Sequence, residues 1–266
     1  MMSDWNPKAY LAYAEPRLRP AQDLLVRIPL NHPGKIVDLG CGPGTVTRLL
    51  AARWPDAEIL GVDSAPEMLA RAREENTLRR EEIFRKITFT QGDIADWAPD
   101  GAPDLIFSNA ALHWLDDHPL LFPRLFAMLA PGGVLAVQMP RNFSAPSHME
   151  MTAAARGGPW AQTLEPLLRP VPVAPPEVYW DILSAVCARL DIWETTYLQV
   201  LDGDDAVFKW ISSTALAPLR NALPEPWRAE FLDAVRTRLA RAYPRRADGK
   251  TLFPFTRQFI IAHNAA

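Results

Sequence analysis

Short apolar runs alternate with longer amphipathic stretches between residues 35 and 139. Five runs have the length and apolar character of buried strands, at residues 35–39, 58–63, 87–90, 104–108 and 134–138. Stretches with apolar positions three and four apart predict helices over residues 45–54, 65–80 and 117–129. The last of these ends before Pro131, Gly132 and Gly133, because proline and glycine oppose further helix. This repeated unit predicts a parallel sheet covered by helices.

The rhythm changes after Met139. Later helical patterns cover residues 146–156, 176–189, 204–221 and 225–242, and strand-like segments cover residues 194–201 and 255–261. A proline-rich stretch separates the first two of these helices. We therefore predict one domain over residues 1–266, with a cofactor-binding core at 30–139. Residues 140–192 would form a helical insertion, either an irregular extension or a substrate cap.

Composition excludes several classes of protein. The chain has 266 residues, of which 48% are hydrophobic and 22% charged, the balance of a folded protein. Its net charge of -3 provides no basic surface for nucleic acid. Cys41 and Cys187 are too few for a disulfide scaffold, and Asp4, Pro7 and Lys8 interrupt any signal peptide. We predict a cytoplasmic protein that does not cross a membrane; nothing indicates its oligomeric state.

The strongest motif is a strand that runs directly into glycines, at residues 37–44. Glycines there allow positive φ angles and let a ligand approach the backbone. A dinucleotide fingerprint needs Gly-x-Gly-x-x-Gly, whereas Gly44 comes one residue early after Gly40 and Gly42. Asp38 would repel a pyrophosphate but suits a ligand with an ammonium group. The motif therefore favours a nucleoside ligand with a cationic end over a nicotinamide cofactor.

Two further acids follow the next two strands. Asp63 ends the second strand, where a carboxylate accepts both hydroxyls of a ribose. Asp93 ends the third strand, within reach of the amine of an adenine. Because the carboxyl ends of parallel strands meet at one edge, Asp38, Asp63 and Asp93 are expected to converge on one crevice.

On these residues, the stretch 35–139 resembles the class I S-adenosylmethionine-dependent methyltransferases. The resemblance implies an α/β fold with a doubly wound, Rossmann-like, seven-stranded and mostly parallel sheet. Its last two strands would form an antiparallel pair, and the helical insertion would follow the fifth strand. The cofactor implied is S-adenosyl-L-methionine, which is converted to S-adenosyl-L-homocysteine.

The same resemblance implies roles for individual residues. Asp38 would face the methionine ammonium, with Gly40 and Gly42 at the methionine end. The remaining cofactor-site residues are Asp63 and Ser64 at the ribose, Asp93 and Ile94 at the adenine, Asn109 and Ala110 with backbone carbonyls toward the ammonium, and Tyr10 in a covering N-terminal segment.

Five segments outside these general motifs, or extending them, carry a narrower resemblance to the trans-aconitate 2-methyltransferase family. They are residues 3–7, 109–114, 138–143, 191–197 and 243–249. The resemblance implies methylation of one carboxylate of a small tricarboxylic acid such as trans-aconitate, giving a monomethyl ester. Residues 43–47 depart slightly from the polar residues usual after the loop, which we take to be harmless.

An acid substrate also agrees with the residues available for chemistry. A carboxylate has a reference pKa of about 4 and is ionised at neutral pH, so it needs no general base. The five histidines show no spacing typical of a catalytic pair or triad. We therefore predict no catalytic side chain and no metal site.

A carboxylate substrate does require positive charge. Arg141 follows the fifth strand, and its guanidinium can hold a carboxylate with two parallel hydrogen bonds. Arg245 and Arg246, before the last strand, are further candidates. The resemblance implies that His113 and Trp114, after the fourth strand, face the transferred methyl group.

Three alternatives remain open from the sequence. The acceptor can be another small carboxylic acid, a hydroxyl or an amine. The chain can be a nicotinamide-dependent oxidoreductase, or a binding protein without activity. The glycine spacing and the set of acids argue against the last two.

Overall fold

A computed structural model of the protein describes residues 14–78, 82–168, 171–212 and 214–266. The chain divides into two compact units. The first, which we call the sheet unit, comprises residues 18–140, 174–194 and 258–266. The second, the helical unit, includes residues 141–173 and 195–257.

Seven strands form one sheet in the order β3-β2-β1-β4-β5-β7-β6. They are β1 Lys35–Leu39, β2 Glu58–Asp63, β3 Ile87–Gln91, β4 Leu105–Asn109, β5 Val134–Pro140, β6 Arg189–Asp202 and β7 Lys250–His263. The pairs β1–β2, β2–β3, β1–β4 and β4–β5 are parallel. The prediction of a mostly parallel, doubly wound seven-stranded sheet is therefore confirmed.

The α-helices of the described residues lie between and after these strands. They are α1 Ala14–Arg27, α2 Thr45–Arg53, α3 Pro66–Leu78, α4 His118–Phe126, α5 Pro146–Arg156, α6 Ala161–Leu164, α7 Pro176–Leu183, α8 Ala206–Ser212, α9 Ala217–Asn221 and α10 Trp227–Ala242. Short 3-10 helices occupy Glu82–Lys86, Leu112–Trp114 and Glu165–Leu167.

The central strands form the core of the sheet unit. Residues 36–39 of β1, 105–108 of β4 and 134–139 of β5 are all buried. Strands covered on both faces read as continuous apolar runs, which is why the sequence pattern located them. Helix α4 packs through a stripe at helical spacing that includes Leu121, Phe122 and Leu125.

The helical unit has a hydrophobic core of its own. Trp160, Trp210, Phe231 and Phe253 are among its buried residues. Trp160 meets Phe231 edge to face with ring centroids 5.6 Å apart, a favourable aromatic geometry.

Several predicted boundaries were wrong. The helix predicted over 204–221 is two helices, α8 and α9, because Pro218 fits the first turn of a new helix. The helix predicted over 176–189 ends at Leu183, and the Ala188 N–H already donates to the carbonyl of His263 at 2.9 Å. Both terminal strands are longer than predicted, since β6 begins at Arg189 and β7 at Lys250.

Helices α5, α6 and α7 lie within the predicted insertion, but residues 189–192 belong to β6. The single-domain organisation and the cap role of residues 140–192 stay predictions. None of the helices in the described ranges has the length and apolar character needed to span a bilayer.

Candidate active site

The glycine loop between β1 and α2 packs against the turn that follows β4. Gly40 has a φ of 73°, and its N–H donates to the carbonyl of Val62 at 2.8 Å. A Cβ atom added at Gly40 would lie 2.1 Å from the Cβ of Ala111. Only glycine fits here, because the backbone conformation and the close approach both exclude a side chain.

Gly42 occupies a different environment in the same loop. Its φ is 53°, and no atom of the described part of the chain lies within 4 Å of the position that a Cβ would take. Its N–H donates to Asp63 Oδ2 at 2.8 Å, and the Ala65 N–H donates to Asp63 Oδ1 at 2.9 Å. A carboxylate has about four acceptor positions, so Asp63 retains capacity for two more donors. Loop and acid thus border open space.

Asp38 is a buried carboxylate at the centre of the sheet. Its side chain accepts a hydrogen bond of 2.6 Å from Thr47 Oγ1, and the residue is 1% exposed. Burial raises the pKa of Asp38 to about 7; the Thr47 bond lowers this pKa and the charge of Asp63 raises it. Within the described part of the chain Asp38 has no ion pair. A cation placed beside it would supply the missing countercharge.

The end of β3 lies beside the glycine loop. A Cβ at Gly40 would lie 3.6 Å from Ile94 Cδ1, so Ile94 lies beside the loop; its role at the adenine stays a prediction. Asp93 is exposed, and its Oδ1 accepts from the Ala95 N–H at 2.9 Å. Arg124 of α4 donates to the carbonyl of Ile94, which fixes this segment.

The turn after β4 carries the next predicted residues. Ala110 has a φ of 54°, and its N–H donates to the Gln138 carbonyl at 2.9 Å. His113 is buried and Trp114 is 49% exposed, with ring centroids 4.7 Å apart. The Oδ1 of Asn109 is buried and has no hydrogen-bond partner in the described ranges.

A buried histidine holds this turn in place. His118 Nε2 meets the carbonyl of Leu112 at 3.0 Å, and its Nδ1 meets the Tyr179 hydroxyl at 2.7 Å. The Ala174 N–H donates to the same hydroxyl oxygen at 3.3 Å. Both His118 and Tyr179 are buried, so the three contacts form a protected chain.

Arg141 is the first residue of the helical unit. Its N–H donates to the Thr256 carbonyl at 2.9 Å, and the Thr256 N–H donates to Asn142 Oδ1 at 2.6 Å. The backbone of β7 therefore fixes the two residues that follow Pro140, whatever the guanidinium binds.

Arg245 and Arg246 lie in the turn before β7. Arg245 is paired with Asp204 at 2.7 Å and donates to the Gly249 carbonyl at 2.8 Å. Arg246 is exposed, and its N–H donates to the Lys250 carbonyl at 2.8 Å. Like Arg141, both belong to the helical unit, and their substrate roles stay predictions.

Two predicted residues remain to be placed. Ser64 is exposed after β2, and its carbonyl accepts from Gln91 Nε2 at 3.2 Å. Tyr10 lies outside the described residues.

Sequence reasoning missed two residues of the site. Thr47 was taken as part of a harmless departure, yet it bonds Asp38; its position on the first turn of α2 was the available signal. Arg48 donates to the Pro43 carbonyl at 3.1 Å and pairs with Glu75 of α3 at 2.6 Å. These two contacts connect the glycine loop to α3.

The fold and the acid-lined glycine loop define a class I methyltransferase. A family model described as "Methyltransferase domain" matches residues 36–133. A YcgJ protein of Bacillus subtilis superimposes with a TM-score of 0.61 and 16% identity, covering 93% of this chain and 99% of that one. A phosphoethanolamine N-methyltransferase of Haemonchus contortus gives a TM-score of 0.57 and 16% identity, over 93% of this chain and 53% of that one. At these identities the likeness supports the fold alone.

Closer relatives cover the whole chain. The chain is 44% identical over 268 residues to a trans-aconitate 2-methyltransferase of Methylobacterium radiotolerans, covering 100% of both. It is 46% identical over 272 residues to a trans-aconitate 2-methyltransferase of Variovorax paradoxus, again covering 100% of both. The chain belongs to the trans-aconitate 2-methyltransferase family.

Proposed function

We propose that this protein methylates one carboxylate of trans-aconitate or a closely similar tricarboxylic acid, using S-adenosyl-L-methionine and forming a monomethyl ester. The observation that carries the proposal is the full-length identity of 44% and 46% to enzymes of that name. The site supports it because its acids match the cofactor's cationic and ribose groups.

The residues fit this cofactor. Asp38 is a buried carboxylate that lacks an ion pair within the described ranges, and it would hold the methionine ammonium. The space that the described residues leave at Gly42 would admit the methionine end, and the unused acceptor positions of Asp63 would suit the ribose hydroxyls. Asp93 and Ile94 would bound the adenine, with Ser64, Asn109, Ala110 and Tyr10 completing the site. When bound, the cofactor supplies a methyl group on a sulfonium, a carbon open to attack by an oxygen lone pair.

The side chains of the protein would bind and orient the acid substrate. A carboxylate is ionised at neutral pH, so no side chain has to remove a proton from it. We propose that Arg141, with Arg245 and Arg246 as further candidates, supplies positive charge for the carboxylates. His113 and Trp114 would shape the acceptor side and exclude water.

The test is incubation of the purified protein with S-adenosyl-L-methionine and a panel of acids, with hydroxyl and amine compounds as competing acceptors. Mass spectrometry is expected to show one added methyl group on trans-aconitate, removable by mild alkali as an ester is. The Asp38→Ala variant, prepared identically, reports any activity carried by contaminants. Methylation of a hydroxyl or an amine in preference to every acid would refute the assignment.

We also propose that the enzyme acts in the cytoplasm and that its partner is a small carboxylic acid, not a nucleic acid or a membrane. Cys41 and Cys187 are both free thiols, as a reducing compartment favours. Fractionation of cells with an antibody to the protein tests this.

A further inference from the structure

The side-chain amide of Gln138 on β5 is buried and makes no hydrogen bond with the described residues. The residue is 1% exposed, and neither Oε1 nor Nε2 has a hydrogen-bond partner among the described residues. The Oδ1 of Asn109 on β4 is likewise buried and unpartnered. Buried amide atoms in native proteins nearly always have partners, so these atoms require an explanation.

The two amides are direct neighbours. Asn109 and Gln138 are register partners across β4 and β5, so their side chains project from one face of the sheet. Asp38 is the register partner of Phe107, two residues before Asn109 on β4. Because alternate residues of a strand share a face, Asp38 projects from the same face as the amide pair.

The pair also lies at the functional edge of the sheet. Asn109 is the last residue of β4, and Gln138 lies two residues before the end of β5, on the side of the sheet where parallel strands bind their ligands. The Gln138 carbonyl holds the N–H of Ala110, and the next residue, Ala111, packs against Gly40 of the glycine loop. The turn that follows β4 therefore connects the backbone of the amide pair to the glycine loop that borders the crevice.

We propose that Gln138, supported by Asn109, is the group that orients the carboxylate receiving the methyl group. This inference rests on the proposed function, because it takes a carboxylate as the acceptor. An amide can turn its N–H2 toward the acid while its carbonyl accepts the N–H2 of the facing amide.

A neutral donor suits the reacting carboxylate better than an arginine does. In the reaction an oxygen lone pair forms the new O–CH3 bond, the C–S bond breaks with its electron pair remaining on sulfur, and no proton moves. The carboxylate therefore loses its negative charge as it reacts. A guanidinium paired with this carboxylate, rather than with the carboxylates that do not react, would stabilise the starting state more than the transition state and would slow the step. An amide fixes the angle of attack with less of that penalty.

The chain offers a matched control in Gln258 on β7. Gln258 is also 1% exposed, and neither of its amide atoms has a partner within the described part of the chain. The bonds from the Gly132 N–H to Ala265 and from the Asn264 N–H to Gly133 set a register that places Phe259 beside Gln138. Gln258 therefore projects from the opposite face, although its burial is the same.

The experiment compares Gln138→Met with Gln258→Met, since methionine keeps the length of the side chain and removes the amide. We expect Gln138→Met to lower kcat for trans-aconitate about 10- to 100-fold, as loss of orientation does. Its calorimetric affinity for S-adenosylhomocysteine should be unchanged, while trans-aconitate should bind its S-adenosylhomocysteine complex more weakly. Both variants should unfold at or above the wild-type temperature, because each exchanges an unsatisfied amide for an apolar group. Gln258→Met should keep wild-type kcat.

Wild-type kcat in Gln138→Met, or equal losses in the two variants, would overturn the inference. Should Gln138→Met fail to fold, Gln138→Glu replaces it. The carboxylate that this substitution introduces would repel the acid, so an unchanged affinity of Gln138→Glu for trans-aconitate would overturn the inference. If the wild-type protein esterifies trans-aconitate and Gln138→Met does so equally well, only this inference fails. If the wild-type protein esterifies no acid, the proposed function fails and this inference with it.

Discussion

Thr47 donates a hydrogen bond of 2.6 Å to Asp38, and both side chains are buried. A bond to the ionised form of an acid favours that form. The threonine therefore opposes the burial that raises the pKa of Asp38 to about 7. Without Thr47, a larger fraction of Asp38 would be protonated at neutral pH and unable to pair with an ammonium.

Replacing Thr47 tests this relationship directly. In Thr47→Val the pKa of Asp38 should rise above its wild-type value, so the variant should bind S-adenosylhomocysteine more weakly at pH 6.5. The ratio of its Kd to the wild-type Kd should fall as the pH approaches 8. Thr47→Ser, which keeps the hydroxyl, should behave as the wild type does. A ratio that is constant with pH would show that Thr47 does not act through Asp38.

Cofactor binding should be linked to a proton on Asp38. Below pH 7 the free enzyme holds Asp38 largely protonated, and an ammonium partner requires the ionised form. Affinity for S-adenosylhomocysteine should therefore fall toward a limit of about tenfold per pH unit as the pH drops below 7. Calorimetry at pH 6.5 in two buffers of different ionisation enthalpy should detect proton release. Absence of release would contradict the assignment of Asp38 to the ammonium.

The same carboxylate should weaken the free protein. The folded pKa of Asp38 is raised above its ordinary value, so this group's contribution to stability falls as the pH rises through about 7. Asp38→Asn keeps an acceptor for Thr47 and removes the charge. It should unfold at a higher temperature than the wild type at pH 8 in the absence of ligand, while binding the cofactor less tightly.

Asp63 should contribute to both the loop and the ligand. Asp63→Ala removes the acceptors of the Gly42 and Ala65 N–H groups, and we expect cofactor affinity to fall by about 1 to 3 kcal/mol. Asp56 precedes the same strand at its other end with a fully exposed side chain, so Asp56→Ala serves as the control. Calorimetry with S-adenosylhomocysteine measures both. An unchanged affinity in folded Asp63→Ala would remove Asp63 from the site.

Turnover with both substrates saturating should be level from about pH 6 to 8, where a required histidine would titrate. His148 does not titrate there, since burial lowers its pKa to about 4. Because an ionised carboxylate needs no base, His113→Gln and His113→Ala should retain turnover. Abolished turnover in His113→Ala, with both ligands still bound, would show that the mechanism needs a base.

Arg141→Lys should not be a conservative change. Lysine keeps the charge but loses the planar fork that fixes a carboxylate, so kcat/KM for trans-aconitate should fall about 30- to 150-fold. Cofactor affinity should stay level. Arg238→Lys is the control, because Arg238 is an exposed residue of α10 that pairs with Glu150 of α5. Wild-type kcat/KM in Arg141→Lys and Arg141→Ala would move the anion site to another arginine.

The sequence located β1, β4 and β5 closely because strands buried on both faces are mostly apolar. It located β3 as well, although most of that strand is only partly buried or exposed. The same logic failed at β6. Its first residues, Arg189 to Ile192, mix polar and apolar side chains and were assigned to the insertion. Pairing with β7, which no local pattern encodes, extends this strand.

The candidate site divides in the same way. The glycine loop and Asp63 were foreseeable, because strand ends of a parallel sheet meet at one edge. The contact of Thr47 with Asp38 was not, since it depends on how α2 sits on β1. Gln138 did leave a signal, as an amide in an otherwise apolar strand.

The bonds around His118 give its ring a direction. A carbonyl oxygen only accepts, so the Nε2 of His118 carries a proton and donates to the carbonyl of Leu112; in the neutral ring Nδ1 then accepts from Tyr179. Tyr179 lies 61 positions further along the chain, on α7. A shortened enzyme that joined β5 directly to β6 would release the imidazole and loosen the turn that carries Trp114. Helix α7 therefore supports the turn after β4, and we expect the smallest active form of this enzyme to retain it.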